Sequence, residues 1–235
     1  MEIISGFVTK CSRYKDNDAI LNLINENGED SIIIRGAYSK NSKYLKYAKT
    51  FYVGKFETYR GNYAHKKLKD VEVIEDFNLL FIDFDKIIYL QFFQEFFSKI
   101  YSEEDSKIFF KLIILCLRKI KETQKYEKYT FLFLGYAIKI AGYGINVDSF
   151  NSRVSKVNSL SITDGKLVSS DKDDSTTIKL NQDEIISIVN VFTQKFLITE
   201  KNLNDKTIDY MKLIKALSLF YEFYSDNKII SLSLL

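Results

Sequence analysis

The stretch Glu2–Gly36, EIISGFVTKCSRYKDNDAILNLINENGEDSIIIRG, reads as three strands joined by two turns. Apolar residues alternate partly at period two in EIISGFVTKCS, as a half-buried strand requires, and YKDND then supplies turn residues. AILNLIN is a second strand, ENGED carries an Asn-Gly hairpin signal, and SIIIRG is a third strand. Beyond it lies RGAYSKNSKYLKYAKTF, Arg35 to Phe51, basic, tyrosine-rich and free of acidic residues. Alternation resumes in TFYVGKFETY and KKLKDVEVIED, joined across RGNY. Five strands with one long connection between the third and fourth is the strand count of an oligonucleotide-binding (OB) barrel.

From Asp83 the period changes to helical. DFDKIIYLQFFQEFFSKIY, SEEDSKIFFKLIILCLRKIKE and YEKYTFLFLGYAIKIAGYG place apolar residues at i, i+3, i+4 and i+7. Ser102 is expected to cap the second, with Glu103, Glu104 and Asp105 in its first turn, and Gly142 and Gly144 to stop the third. A polar, turn-rich segment with short β-like pieces follows, then two more helices, QDEIISIVNVFTQKF and DKTIDYMKLIKALSLFYEFYSD. The expected architecture is α+β: an OB domain over 1–78, then a helical domain over 79–235 with an irregular insertion around 145–180.

The chain has 235 residues, 46% apolar and 28% charged, enough to bury a hydrophobic core in one large domain or two smaller ones. Cys11 and Cys116 form no Cys-x-x-Cys pair, and MEIISGFVTK carries acid where a signal peptide needs positive charge, so a reducing cytoplasm is expected. The most apolar runs are interrupted by Lys111, Arg118 and Lys139, which fits buried helices better than a membrane span. The net charge of +3 is unevenly placed. Residues 1–75 hold 13 Lys/Arg against 10 Asp/Glu, while 76–235 hold 21 of each. Within the first part, Arg35 to Lys69 contains ten basic residues opposed only by Glu57.

Catalytic constellations are hard to assemble from these residues. His65, the single histidine, sits beside two lysines with no serine or cysteine elbow near it and reads as a surface strand residue. Asp83 and Asp85 suit a helix N-terminus better than a metal. GYAIKIAGYG lacks the phosphate-loop spacing, and Phe92, Phe93, Phe96 and Phe97 have the spacing of a core-facing stripe. The basic window is different, because neutralising phosphates supplies sequence-independent affinity and neighbouring aromatics offer stacking surfaces. The expected DNA contacts are Arg35, Lys40, Lys43, Lys46, Lys49, Arg60, Lys66 and Lys67, with Tyr38, Tyr44 and Tyr47 as stacking platforms. An RNA-binding OB protein would use the same patch, and a protein-only adaptor would leave it merely solvated.

The chain also resembles a known family. Gly6, Val8, Tyr14, Asp16, Asp18, Ile20, Leu21, Gly28, Arg35, Gly36, Ala37 and Ser42 follow in order the N-terminal pattern of RecO, the bacterial recombination mediator. YRGNYAHKKLKDVEVIE, the helix-ending Gly142–Tyr143 and the terminal ISLSLL, with Ser231 and Leu235, continue the likeness. Many RecO proteins bind zinc through two Cys-x-x-Cys pairs. Here those positions fall near Phe150 and Arg153 and on Val168 and Asp171, so the resemblance implies a variant without the metal and with no cofactor. It further implies a protein that is not an enzyme, binds single- and double-stranded DNA and anneals complementary strands. The partners it implies are RecR, the C-terminal tail of single-stranded DNA-binding protein and, indirectly, RecA. Lys111, Arg118, Lys119 and Lys121 are expected candidates for a basic rim around a pocket for that tail.

Overall fold

Alternating apolar side chains draw the first part of the chain into five strands: β1 (Glu2–Tyr14), β2 (Asp18–Asn25), β3 (Gly28–Ile34), β4 (Tyr52–Tyr59) and β5 (Lys66–Asp76). The computed structural model describes residues 1–60, 65–150, 156–171, 173–194 and 206–234, and of Phe84 and Asp85 the backbone alone. The five strands form a closed barrel in the order β1-β2-β3-β5-β4, parallel between β3 and β5 and antiparallel elsewhere. This is the expected OB topology. Its interior is filled by fully buried side chains, among them Val8, Leu21, Leu23, Ile32, Tyr52 and Phe56. Each such side chain contributes about 1.5–3 kcal/mol of gross burial energy.

β1 serves two neighbours in turn, pairing with β4 over Glu2–Phe7 and with β2 from Phe7 to Tyr14. The crossing is tight at Gly6, where an added Cβ would lie 2.4 Å from Leu23 Cδ1 and 2.9 Å from the Ile24 carbonyl oxygen. Only glycine lets the backbones approach this closely. The β2–β3 hairpin differs from the Asn-Gly turn expected. Asn25 pairs with Gly28, so Glu26 and Asn27 form the loop, and the Asn25 side chain accepts the Asn27 N–H at 2.7 Å. The strand therefore begins earlier, and its end at Ile34 leaves Arg35 and Gly36 to the connection.

Five helices follow: α1 (Phe84–Ile100), α2 (Ser106–Thr123), α3 (Tyr126–Ile140), α4 (Gln182–Thr193) and α5 (Tyr210–Ser225). The start of α2 corrects an expectation. Glu103–Asp105 form a separate 3-10 turn, Ser102 makes no side-chain cap bond, and the helix begins at Ser106. The reason is tertiary: Ser106 Oγ donates to the Asn25 carbonyl at 2.6 Å, fixing the chain there. Gly142, at φ +86, closes α3 as expected, with its N–H on Lys139 O at 3.1 Å and the Tyr143 N–H on Ile138 O at 3.0 Å. The turn-rich segment contains a small antiparallel sheet of β6 (Ser159–Ser161), β7 (Lys166–Val168) and β8 (Thr177–Lys179), in the order β7-β6-β8. Val168 lies on β7 and Asp171 just beyond it, whereas Arg153 and Leu235 fall outside the described residues.

The chain divides into two compact units, one of Met1–Ile87 with Tyr101–Lys121, the other of Ile88–Ile100 with Glu122–Leu235. In the first, the greater part of α2 packs beside the barrel and spends its cations there. Lys107 and Lys111 both reach Glu26 at 3.5 Å, Arg118 reaches Glu75 at 2.8 Å, and Lys121 lies 3.9 Å from Glu75. In the second, the phenylalanine stripe of α1 is core as expected: Phe93 meets Phe133 at 4.8 Å between ring centroids, and Phe96 meets Tyr221 at 5.1 Å.

Glu95 closes the second unit against the C-terminal segment. Its carboxylate accepts the N–H groups of Ile230 (2.8 Å) and Ser231 (2.7 Å), the Ser231 hydroxyl (2.6 Å) and the Lys99 ammonium (2.6 Å). Partial burial would raise its pKa, but these donors hold it down at about 2. A depressed carboxyl pKa adds stability that is complete above the ordinary value near 4.5 and is lost as pH falls through about 2. Glu95→Gln is expected to cost about 2 kcal/mol at neutral pH by loss of charge-assisted bonds. Urea unfolding should show that difference shrinking between pH 4.5 and 2.

Candidate nucleic-acid interface

The connection from Ile34 to Tyr52 is built onto the barrel at both ends. At its start, Asp18 on β2, 8% exposed, accepts the Gly36 N–H at 2.8 Å through one oxygen and the Arg35 guanidinium at 2.6 Å through the other. Gly36 adopts φ +61, a left-handed conformation that turns the chain off β3. The Tyr38 N–H then bonds Asn17 O in the β1–β2 turn at 2.9 Å. At the far end, the Phe51 N–H donates to Val8 O at 2.8 Å, and Lys49 pairs with Asp76 on β5. Between these anchors runs a chain of tight turns: Ser42 N to Ser39 O at 3.0 Å, Leu45 N to Ser42 O at 3.3 Å, and a 3-10 turn over Leu45–Tyr47.

Tyrosines supply the packing. Tyr38, Tyr44 and Tyr47 are half-buried against the barrel core, together with Ala48. Two of the hydroxyls are tied as well: Tyr44 donates to Lys69 O at 3.2 Å, and Tyr38 OH lies 3.8 Å from Cys11 Sγ. Each ring also carries a cation. Arg13 Cζ sits 4.7 Å from the Tyr38 centroid, Lys43 Nζ 5.0 Å from that of Tyr44, and Lys46 Nζ 4.8 Å from that of Tyr47. Arg13, on β1, was not among the residues picked out by charge density, because the hairpin rather than chain proximity brings it there.

The structure sorts the remaining cations. Lys66 is 16% exposed and bridges Glu2 at 3.0 Å and Asp30 at 2.7 Å; desolvation would lower its pKa, but these two carboxylates carry it above the ordinary value. It staples β5 to β1 and β3, next to the short Ile32–Lys66 and Ile33–Lys67 pairing that closes the barrel. Lys69 pairs with Glu57 at 2.6 Å, and Lys67 lies 5.9 Å from the Tyr59 ring centroid. Desolvation would raise the Asp76 pKa, but Lys49 and the Asn78 amides hold it below the ordinary carboxylate range. Lys40, Lys43, Lys46 and Arg60 are exposed and, among the described residues, have no carboxylate within ion-pair distance. Of the eight cations expected to contact DNA, Arg35, Lys49 and Lys66 thus hold the barrel and its connection together. Lys40, Lys43 and Lys46 stand uncompensated on one ordered segment.

Among the described residues no group of three His, Cys, Asp or Glu side chains is placed to hold a metal ion, and no helix is long and apolar enough to cross a membrane.

Fold and site together define an OB barrel with a cation-bearing connection, followed by a helical part. Over 91 residues the chain is 33% identical to the DNA repair protein RecO of Clostridium novyi (strain NT), covering 38% of this chain and 35% of that protein. It is likewise 33% identical over 91 residues to the DNA repair protein RecO of Clostridium acetobutylicum, covering 38% of this chain and 36% of that one. The match spans about a third of the length of these curated relatives. No protein-family model matches. Among solved structures, the aspartyl tRNA synthetase from Entamoeba histolytica aligns over 92% of this chain and 54% of its own at 9% identity and a TM-score of 0.24, too low to carry an argument.

Proposed function

We propose that this chain is a non-enzymatic DNA repair and recombination mediator of the RecO kind. It binds single- and double-stranded DNA through the connection between β3 and β4, anneals complementary strands, and acts with RecR on strands coated by single-stranded DNA-binding protein so that RecA can load. The observation that carries the reading is the set of Lys40, Lys43 and Lys46, uncompensated by carboxylates among the described residues, with Lys43 and Lys46 held over tyrosines anchored in the barrel. A surface made only for solubility needs no such anchoring, whereas phosphate contacts gain from preorganised cations. Annealing needs charge neutralisation on two backbones and no covalent step. Stacking of bases on Tyr44 or Tyr47 requires the lysine over each ring to move aside to a phosphate, which couples the two kinds of contact. The similarity to RecO proteins supports the biological setting. Of the helical cations considered for the tail of single-stranded DNA-binding protein, Lys111, Arg118 and Lys121 already pair with barrel carboxylates, which disfavours them as a pocket rim.

The test is annealing of complementary oligonucleotides, bare and coated with single-stranded DNA-binding protein, followed by a fluorescence-quenching pair. The expected result is acceleration over the spontaneous rate on both substrates. DNA binding without acceleration on either would leave a nucleic-acid-binding barrel and remove the mediator role.

A further inference from the structure

We infer that the barrel carries a separate binding site, a cleft where β1 parts from β2, and that its occupant is a short extended segment of a partner protein bearing lysine or arginine. The inference stands independently of the nucleic-acid reading, since an acidic cleft repels phosphates. The cleft, of about 520 Å³, is bounded by Glu2–Ser5 on β1, the hairpin end 25–30 and Phe110 of α2. That volume falls within the range of ligand-holding clefts, about 300–1,000 Å³. It exists because β1 changes neighbours. Glu2–Phe7 pair with β4 on one side, but on the other the ladder to β2 begins only at Phe7, opposite Ile24, and the hairpin then turns back at Glu26 and Asn27. Among the described residues the edge over Glu2–Ser5 therefore has no strand beside it on that side, and such an edge is a template for one. Four residues of strand span about 13 Å, so a segment of about four residues fills the lane that β2 leaves.

Side chains fix the chemistry of that segment. Ile3 is 72% exposed on the edge, and the half-buried Phe110 lines the cleft, so the segment must offer apolar groups. Charge then selects among apolar strands. Lys66 already bridges Glu2 and Asp30, and Lys107 and Lys111 already meet Glu26. Glu29 and Glu103 are left, both exposed and, among the described residues, without a cation within ion-pair distance. They lie close together: Glu103 Oε1 is 2.8 Å from where a Cβ on Gly28 would stand, and burial together with the Glu103 charge holds the Glu29 carboxyl above its ordinary value. A cation on the added strand relieves that repulsion. The connection of a second copy has the charge but is folded into successive tight turns, so it does not supply the strand.

The test measures binding of a fluorescein-labelled hexapeptide of alternating valine and lysine to the full chain. Its controls are the same peptide with glutamate in place of lysine, and two versions N-methylated on the backbone, one at the valines and one at the lysines. Saturable binding is expected, with amide exchange slowed at Ile3–Ser5. Only one alternate set of amides faces the edge, so one N-methylated version should bind about tenfold more weakly through its lost backbone bonds. Glu29→Gln/Glu103→Gln, two exposed substitutions that should leave the unfolding midpoint unchanged, should weaken the lysine peptide about fivefold. The absence of saturable binding would overturn the site. Equal binding by both N-methylated versions would reduce the attraction to charge alone and overturn strand addition. An unaltered affinity in the glutamine variant, or equal binding of the glutamate peptide, would overturn the choice of a cationic partner. Each of these results leaves the nucleic-acid reading where the salt series puts it.

Discussion

Replacing Asp18 by alanine is expected to destabilise the barrel by about 2 kcal/mol and to weaken DNA binding although Asp18 itself touches no DNA. The carboxylate satisfies two donors at once, the Gly36 N–H at 2.8 Å and the Arg35 guanidinium at 2.6 Å. Alanine leaves the amide without its acceptor at the point where the chain turns off β3. The Arg35 side chain is 40% exposed, so water recovers part of its lost interaction, and the cost stays below that of breaking a fully buried pair. Loss of the anchor frees the first residues of the connection, so Lys40 and Lys43 must be ordered again on binding DNA. Asp18→Asn keeps an acceptor for Gly36 and should cost about half as much. Urea denaturation followed by circular dichroism measures the first effect, and fluorescence anisotropy with a labelled single strand measures the second.

The larger effect on binding is expected from Lys40→Gln/Lys43→Gln/Lys46→Gln. If each lysine meets one phosphate, each adds about 0.7 to the salt slope on single strands, equivalent to about fivefold in affinity at 0.1 M salt. Three together are worth about a hundredfold. Glutamine keeps much of the aliphatic stem while removing the charge, so the rings of Tyr44 and Tyr47 should remain packed on the barrel. The variant should therefore fold with an unchanged unfolding midpoint. That separates it from Lys66→Gln, which removes the bridge between Glu2 and Asp30 and acts through stability.

The barrel was legible because its signals are local. Period-two alternation marked β5 over Lys66–Asp76 as the structure has it, and charge density along the chain singled out the connection. What misled were local signals overridden by distant partners. Ser102 and the acids after it resemble a helix start, yet α2 waits for Ser106 to reach Asn25, 81 residues earlier in the chain. Counting charges within a window likewise gave every lysine equal weight. Lys66 meets Glu2 and Asp30 across 64 and 36 residues, and Lys49 meets Asp76 across 27, separations that only strand pairing brings to contact distance. Arg13 lies outside that window, and its place over Tyr38 depends on the hairpin register. Which cations pair with distant carboxylates and which stand exposed without one is a property of the tertiary structure.

The most direct test of the connection as a nucleic-acid interface is the equilibrium affinity of the unaltered chain and of Lys40→Gln/Lys43→Gln/Lys46→Gln for a labelled single strand, measured across a salt series. The expected result is binding by both, with the variant's slope of log affinity against log salt lower by about 2 and its affinity about a hundredfold weaker at 0.1 M salt. Equal slopes and equal affinities would contradict it, placing the phosphate contacts on another surface of the protein.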